Sequence, residues 1–459
     1  MQPSEPSPGA LAALAEEAFA ALAQDAPHLK RRETAYAGVP IQCLGDEDVM
    51  FVRAVHKNTL LIASDEATLH RALDLANGKG APLGEQDAFA ELCRETGGKD
   101  LFVYASATPL WENLPSQAVP PEASGLQELD ALALGLEVAP PVFVEHLAFH
   151  TRGPRSGFLE LLDQAPLKRP FATAVPERLL SFSRMRLAPG EGWDSLLNTL
   201  KRIQTPAGHN GLLARLEAVQ QHCGFSLRED FLKSLGDTVT TTLAVGDDPA
   251  HPDLVYVWTL ADPAGCLSCV ERTLATLEQN NEPKPFRRHW VEGAEVFVVD
   301  REGWDKGMPM PYPREAPPVA FGVVQGALVV ANRPELVARF SRRPKTEEAP
   351  PPALSAVIET LPAQAWAVSY CDLAALLENL SGSLATLQSR GMPLPDVLAG
   401  ILKSDIPLAP AVSCVYTTPR SVILESRAPL PFMSAILSGA AVGASLPLLQ
   451  DLRTEGGAI

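Results

Sequence analysis

The chain has 459 residues, which is enough for two or three domains of ordinary size. Hydrophobic residues make up 46% and charged residues 20%, a globular composition that excludes wholesale disorder. The formal net charge is −17 and Lys and Arg form no stripe, which argues against a protein that binds nucleic acid or an anionic membrane surface. Seven cysteines, an odd number set mostly in apolar runs, do not make a disulfide framework.

The N-terminal half begins with a polar lead and an amphipathic, Ala-rich helix that ends near Gln24. This stretch lacks the basic start and apolar core of a signal peptide. Further along, Asn58 sits in a predicted turn before the apolar strand LLIAS, and Ser64 is a predicted N-cap of the next helix. Later, the stretch around His146 and His150 has the alternation of a strand.

The C-terminal half has a clearer succession of elements, beginning with an extended run from Val175. Helices are predicted at Trp193–Ile203, Gly211–His222, from Asp262-Pro263, after Asn332 and from Asp372, and strands at Thr238–Val245, Leu254–Ala261, Glu295–Val299, Val319–Val324, Ala327–Ala331, Ala365–Tyr370, Ala411–Thr417 and Ser421–Ser426. The strands come mostly as adjacent pairs with short turns, which favours antiparallel pairing. The predicted fold class is therefore α+β rather than a doubly wound parallel sheet.

The two halves also match each other. The matched stretches begin at Ser4 and Thr259, at Val55 and Val323, at Val103 and Ser369, and at Thr151 and Thr417. Gly38 falls on Gly293, and Asn58 falls opposite Gly326, residue types that tolerate the positive φ of a hairpin turn. Four matches in the same order predict an internally duplicated unit of antiparallel strand pairs and packed helices.

The duplication predicts the domain boundaries. Residues 1–165 form the first copy and residues 166–428 the second, fuller copy. The first copy lacks the strand pair that precedes the helix at Asp262-Pro263, so it is incomplete at its N-terminus. We expect either that another segment completes its sheet, or that the chain begins downstream of its natural start.

The C-terminal region contains an uncharged run from Pro429 to Gln450, followed by a tail, residues 451–459. The run is long enough to cross a bilayer, which takes about 20 apolar residues. It is also rich in Gly, Ala and Ser and contains Pro447. A transmembrane helix and an apolar helix docked on the protein both remain open.

Two groups of residues in the sequence are of the types that bind metal ions. Cys266 and Cys269 form a CxxC, but no second pair completes a zinc site, and the first copy has Leu11 and Leu14 at these places. The cysteines are therefore predicted to pack in the core. His146 and His150 would lie about 13 Å apart on a strand, too far to share one ion.

Three loops also resemble functional motifs. The acidic loop from Asp247 to Asp253 lacks the ligand spacing of an EF-hand and is read as a solvated hairpin loop. Asn77–Gly80 is a turn rather than a phosphate-binding loop, and Gly153–Gly157 is a hairpin turn rather than a nucleophile elbow. The sequence predicts no catalytic, cofactor-binding or metal-binding residue and no cofactor.

The matched stretches LLIAS (60–64) and LVVAN (328–332), each followed by a capped helix, and the later strand with a helix at Asp372, resemble an uncharacterised bacterial family, domain of unknown function 3352. The resemblance extends roughly from Ala10 to Glu425. Members of that family are envelope-associated and internally duplicated, which implies a location in the cell envelope or membrane rather than the cytoplasm. No activity is established for the family, so the resemblance assigns no functional residue.

We therefore expect a non-enzymatic, envelope- or membrane-associated protein with a scaffold or binding role. A carrier or sensor of an apolar ligand is an alternative, and so is an enzyme whose site is assembled from dispersed residues. We do not expect nucleic acid as a partner, whereas we do expect membrane association through residues 429–450. The sequence does not identify a protein partner or an apolar ligand.

Overall fold

The computed structural model describes residues 28–45, 50–57, 59–97, 100–108, 125–168, 178–246, 252–307, 319–342, 358–379 and 408–430, with scattered residues between 13 and 24. Those scattered residues are helical, in agreement with the predicted N-terminal helix. By its contacts the chain divides into two compact units, Met1–Ala90 and Glu91–Ile459.

The first unit is built on a four-stranded antiparallel sheet in the order β1-β2-β3-β4. The strands are β1 (Lys30–Tyr36), β2 (Val39–Gly45), β3 (Met50–His56) and β4 (Thr59–Ala63), and they are followed by helix α1 (Glu66–Ala76). Alternate residues of β2 and β3, among them Ile41 and Val52, face α1, and α1 buries Leu69 and Leu73 against them. A 3₁₀-helix (Leu83–Glu85) and α2 (Asp87–Thr96) come next, and the boundary between the units falls within α2.

The second unit contains the remaining elements. Its strands are β5 (Leu101–Ser106), β6 (Leu129–Ala139), β7 (Val142–Thr151), β8 (Leu179–Arg186), β9 (Leu235–Ala244), β10 (Asp253–Leu260), β11 (Phe286–Val291), β12 (Ala294–Val299), β13 (Ala320–Val324), β14 (Ala327–Ala331), β15 (Ala367–Cys371), β16 (Ala411–Thr417) and β17 (Ser421–Ala428). Its helices are α3 (Pro189–Ile203), α4 (Pro206–Cys223), α5 (Pro263–Gln279), α6 (Arg301–Gly307) and α7 (Pro334–Arg342), with a π-helix at Leu227–Leu232 and 3₁₀-helices at Leu126–Glu128 and Gly157–Leu162.

These strands form a 13-stranded sheet in the order β11-β12-β13-β14-β10-β9-β8-β15-β16-β17-β7-β6-β5. Each strand is antiparallel to its neighbours, so the predicted α+β fold with antiparallel strands is confirmed. Helix α7 packs on one face through Leu336, Val337 and Ala338, against apolar side chains that include Val296 and Val329.

Tight two-residue turns join several of the strand pairs. Between β1 and β2, Ala37 and Gly38 have φ of 51° and 80°. Between β11 and β12, Glu292 and Gly293 have φ of 54° and 87°. Positive φ at both central positions defines the type I′ turn, whose twist matches that of the flanking strands. The predicted turns at Gly38 and Gly293 are confirmed.

Three local predictions were wrong. Asp65, not Ser64, caps α1, because its side chain accepts the Thr68 N–H. Asn332 does not cap α7, because its Oδ1 accepts the Leu254 N–H at 3.1 Å and its Nδ2 donates to the Pro252 carbonyl at 2.8 Å. Gly153–Gly157 is not a hairpin turn, since it leads from β7 into a 3₁₀-helix.

Two predictions fall partly or wholly outside the described residues. The acidic loop is described only at its C-terminal end, where Asp253 begins β10 and pairs with Arg333. Of the apolar run Pro429–Gln450, only the first two residues are described, and Leu430 packs near Ala428. Within the part of the chain that is described, no helix combines the length and the apolar character needed to cross a membrane.

Two glycine substitutions should change stability in opposite directions. Gly293→Ala forces a side chain into a left-handed conformation, so the free energy of unfolding should fall by about 1–2 kcal/mol. Gly211 lies in α4 with open space around its Cα, so Gly211→Ala should raise stability by about 0.5–1 kcal/mol. Urea unfolding of both variants checks this, and equal effects would contradict the assignment of the turn.

Candidate functional site

Polar side chains, most of them buried, lie along the pairing of β7 with β17. We call this group the polar junction: the buried His146, His150, Ser421 and Glu425, and the partly exposed Arg427. His146 Nε2 lies 3.4 Å from Glu425 Oε2, and Arg427 Nη2 donates to Glu425 Oε1 at 2.9 Å. Burial raises the pKa of Glu425, but the bonds from His146 and Arg427 outweigh it and hold the pKa below its usual value. Glu425 is therefore a buried carboxylate with both oxygens engaged.

The second pair of the junction is a histidine and a serine. His150 Nδ1 lies 3.2 Å from Ser421 Oγ, and the two residues are 1% and 0% exposed. Histidine and serine in this arrangement are the components of a nucleophile with its base, but a substrate must reach the hydroxyl. Here both side chains lie between packed strands, so the contact serves to hold β7 against β17.

The two turns that share the sequence Pro-Arg-Ser contact each other beside this junction. Arg155 Nη1 donates to the Thr418 carbonyl at 3.1 Å, and Arg155 Nη2 donates to Asp163 Oδ1 at 2.7 Å. The Thr151 N–H donates to the Arg420 carbonyl at 2.7 Å. These hydrogen bonds join the two segments to each other.

The CxxC lies on α5, as predicted. Asp262 caps this helix by accepting the Gly265 N–H at 2.9 Å, and Pro263 takes the first helical position. Cys266 and Cys269 are 0% and 2% exposed. Burial raises the pKa of Cys266 to about 11, so its thiol stays protonated at neutral pH and is a poor nucleophile. The predicted core packing of this helix face is confirmed.

Metal ligands are not grouped in the described parts of the chain, where no three His, Cys, Asp or Glu side chains are placed to hold an ion. The two histidines of β7 lie on one strand, as predicted. His146 contacts Glu425 and His150 contacts Ser421.

A cleft of about 730 Å³ lies between the sheet and the start of α3. We call it the basic cleft, because four cationic side chains line it: Lys168, Arg184, Arg186 and Lys233. Two acidic residues, Glu191 and Asp237, also line it. The apolar part of its wall comes from Leu167, Leu232, Leu235 and Leu260.

The strand β8 places two of these cations. Leu180, Phe182, Arg184 and Arg186 alternate along β8 and so share one face of the sheet. Arg186 Nη2 pairs with Asp237 Oδ2 at 2.9 Å. Arg184 is partly buried, and this burial lowers the pKa of its guanidinium although Asp237 acts in the opposite direction. Two cations thus follow the buried Leu180 and Phe182 on one face of β8.

The floor of the cleft depends on a glycine. A Cβ on Gly236 would lie 2.5 Å from Thr259 Oγ1 and 2.9 Å from the Thr259 carbonyl oxygen. The Gly236 carbonyl also accepts the Trp258 Nε1–H at 3.1 Å, next to a register shift in the pairing of β9 with β10. Only glycine allows this close approach of the two strands.

Sequence reasoning missed this cleft. Its lining comes from 166–168, 184–191, 232–238 and 259–261, and no motif unites these segments. One signal was available: the alternation of β8 puts Arg184 and Arg186 on the same face as the buried Phe182. Two arginines on an inward face are unusual, since buried charges need partners.

No protein-family model, no curated protein and no solved structure matches the chain.

Replacing the buried carboxylate should reveal its contribution to stability. Glu425→Gln removes the charge that His146 and Arg427 face, so the free energy of unfolding at pH 7 should fall by roughly 1–3 kcal/mol. Because the folded pKa of Glu425 lies below its usual 4.5, the contribution is present above that pH and is lost as the pH falls through the folded value. Urea unfolding at pH 7 and near pH 3 measures both effects.

Glu229→Gln is the matched control, since Glu229 pairs with Lys233 on an exposed surface. It should change stability little at either pH. A Glu425→Gln variant as stable as the parent chain at pH 7 would contradict the structural role of the polar junction.

Proposed function

We propose that the chain is a non-enzymatic protein with a binding or scaffold role in the bacterial cell envelope or at a membrane. The polar junction supports the proposal that the protein is not an enzyme, because its side chains are already hydrogen-bonded to each other. Glu425 and the Ser421–His150 pair, the side chains best suited to acid-base or nucleophilic chemistry, are buried and bonded to neighbouring strands. This use of reactive groups is typical of a structural role.

The scaffold, in this proposal, is a duplicated unit. Support comes from a similar succession in 30–76 and in 286–342: four antiparallel strands followed by a helix, with α6 inserted between the two strand pairs of 286–342. In each, the first strand pair is closed by a two-residue turn with positive φ, at Ala37-Gly38 and at Glu292-Gly293. These are the positions that the sequence match aligns.

A second line of support comes from the strands that follow. β5-β6-β7 and β15-β16-β17 are two sets of three antiparallel strands, and they meet through β7 and β17. The outer side of β15 pairs with β8, whereas β5 ends the sheet among the described strands. The fourth match does not help, because Thr151 ends β7 whereas Thr417 ends β16.

The envelope location is supported by the resemblance to domain of unknown function 3352 and by the uncharged run Pro429–Gln450. An anchoring role for this run leaves the described core intact, because β17 ends at Ala428 and Leu430 still packs on it.

Cell fractionation of a chain that ends at Leu430 tests the location. The full-length chain should sediment with membranes and the shortened chain should remain in the supernatant, because the proposed anchor has been removed. A variant lacking only residues 451–459 is the control and should still sediment. Recovery of the full-length chain in the supernatant would contradict the anchor.

A carrier of an apolar ligand is the second candidate, and one observation favours it. The basic cleft has leucines in its wall and a volume within the usual range of small-molecule sites, about 300–1,000 Å³.

A further inference from the structure

We propose that the basic cleft binds a small organic anion: a carboxylate or phosphate group attached to an apolar body. The inference deepens the binding role proposed above and rests on it. Four features of the cleft point to this ligand: its charge, the setting of Arg184, the start of α3, and the leucines of its wall.

The charge of the cleft is opposite to that of the chain. The whole sequence has 55 acidic and 38 basic residues, whereas the cleft is lined by four basic and two acidic side chains. Asp237 is already paired with Arg186, and Lys233 is paired with Glu229 outside the cleft. Lys168 is exposed and forms no ion pair with the described residues. A local excess of positive charge on an acidic protein attracts and retains an anion.

Arg184 has a setting that favours an anion further. Its neighbours across the sheet are Thr240 on β9 and Val368 on β15, and Asp237, which acts on its charge, is already paired with Arg186. Burial lowers the pKa of the guanidinium, which means that the charged form has lost hydration. An anion in the cleft would replace part of that lost hydration with charge-assisted hydrogen bonds.

The first turn of α3 adds to the positive electrostatic potential of the cleft. Gly190 and Glu191 line the cleft, and Ala188 before them has no side chain that can cap the helix. The positive end of a 15-residue helix is therefore directed at the space that the arginines border. By itself a helix terminus would not make a site; here it reinforces the side-chain cations.

The leucines in the wall of the cleft favour an organic anion over an inorganic one. Leu167 and Leu235 are buried, and Leu232 and Leu260 are partly buried around the same space. A free phosphate ion would leave these side chains without an apolar contact. An anion with an aliphatic body places its charge at the arginines and its chain against the leucines.

Isothermal titration of the full-length chain with octanoate tests the proposal, with the uncharged 1-octanol as the matched ligand. Octanoate should bind at least about tenfold more tightly than 1-octanol, because its carboxylate accepts charge-assisted hydrogen bonds that the alcohol cannot. Arg184→Gln and Lys168→Gln should each weaken octanoate binding, Arg184→Gln by about tenfold or more.

Arg202→Gln is the control, since Arg202 is exposed on the last turn of α3, about 20 Å along the helix from Pro189. It should bind octanoate as the parent chain does. If Arg184→Gln does not fold, Lys168→Gln alone tests the proposal, because Lys168 is exposed and its replacement should not affect folding.

Three results would overturn the proposal: no octanoate binding at millimolar concentration, equal binding of 1-octanol, or unchanged binding by Lys168→Gln together with any folded Arg184→Gln. Fractionation of the same chain with membranes does not depend on these results. A failure of the anion site is therefore distinguishable from a failure of the proposed location.

Discussion

The antiparallel pairing of β7 with β17 is the interaction on which the large sheet depends. It runs from His150 opposite Ser421, which are 271 positions apart in the sequence, to Phe143 opposite Ala428, which are farther apart still. Contacts of such separation are costly in loop entropy, so many favourable contacts must form together to compensate. Backbone hydrogen bonds, the buried Glu425 and the His150–Ser421 contact all fall on this one strand pair.

The polar junction also fixes the register of that pairing. A slip by one residue would turn every side chain of β17 to the other face of the sheet. Glu425 would then lose His146, and Ser421 would lose His150. Since a buried carboxylate without partners is strongly unfavourable, the junction selects one register among several that apolar residues alone would tolerate. These polar groups therefore contribute to the specificity of the pairing as well as to stability.

The register at the junction extends to the basic cleft. Glu425 lies opposite Cys414, Cys414 opposite Val368, and Val368 opposite Arg184. Arg184 therefore occupies the same cross-strand row as the junction carboxylate. The register of strands several positions away in the sheet therefore determines where Arg184 lies. The geometry of the basic cleft depends on the pairing of the whole sheet.

Local features of this fold could be predicted from the sequence, and long-range ones could not. The strands Ala327–Ala331 and Ala411–Thr417 were predicted with the bounds that the structure has, because alternation and turn residues are local signals. The core position of Cys266 followed from Leu11 in the matched stretch. The π-helix Leu227–Leu232 was missed, since it has no distinct periodicity within six residues.

The cap at Ser64 was wrong because the adjacent Asp65 competes for the same N–H groups. The pairing of β17 with β7 and the assembly of the basic cleft depend on which distant strands become neighbours. Neither leaves a pattern in any one segment.

Hydrogen exchange measured by mass spectrometry on the full-length chain tests the β7–β17 pairing most directly. If the two strands are neighbours inside the sheet, the amides of Val144–Phe149 and Val422–Arg427 should exchange only on global unfolding, much more slowly than those of β5 at its end. Exchange of either segment as fast as β5, while the rest of the sheet stays protected, would contradict the account.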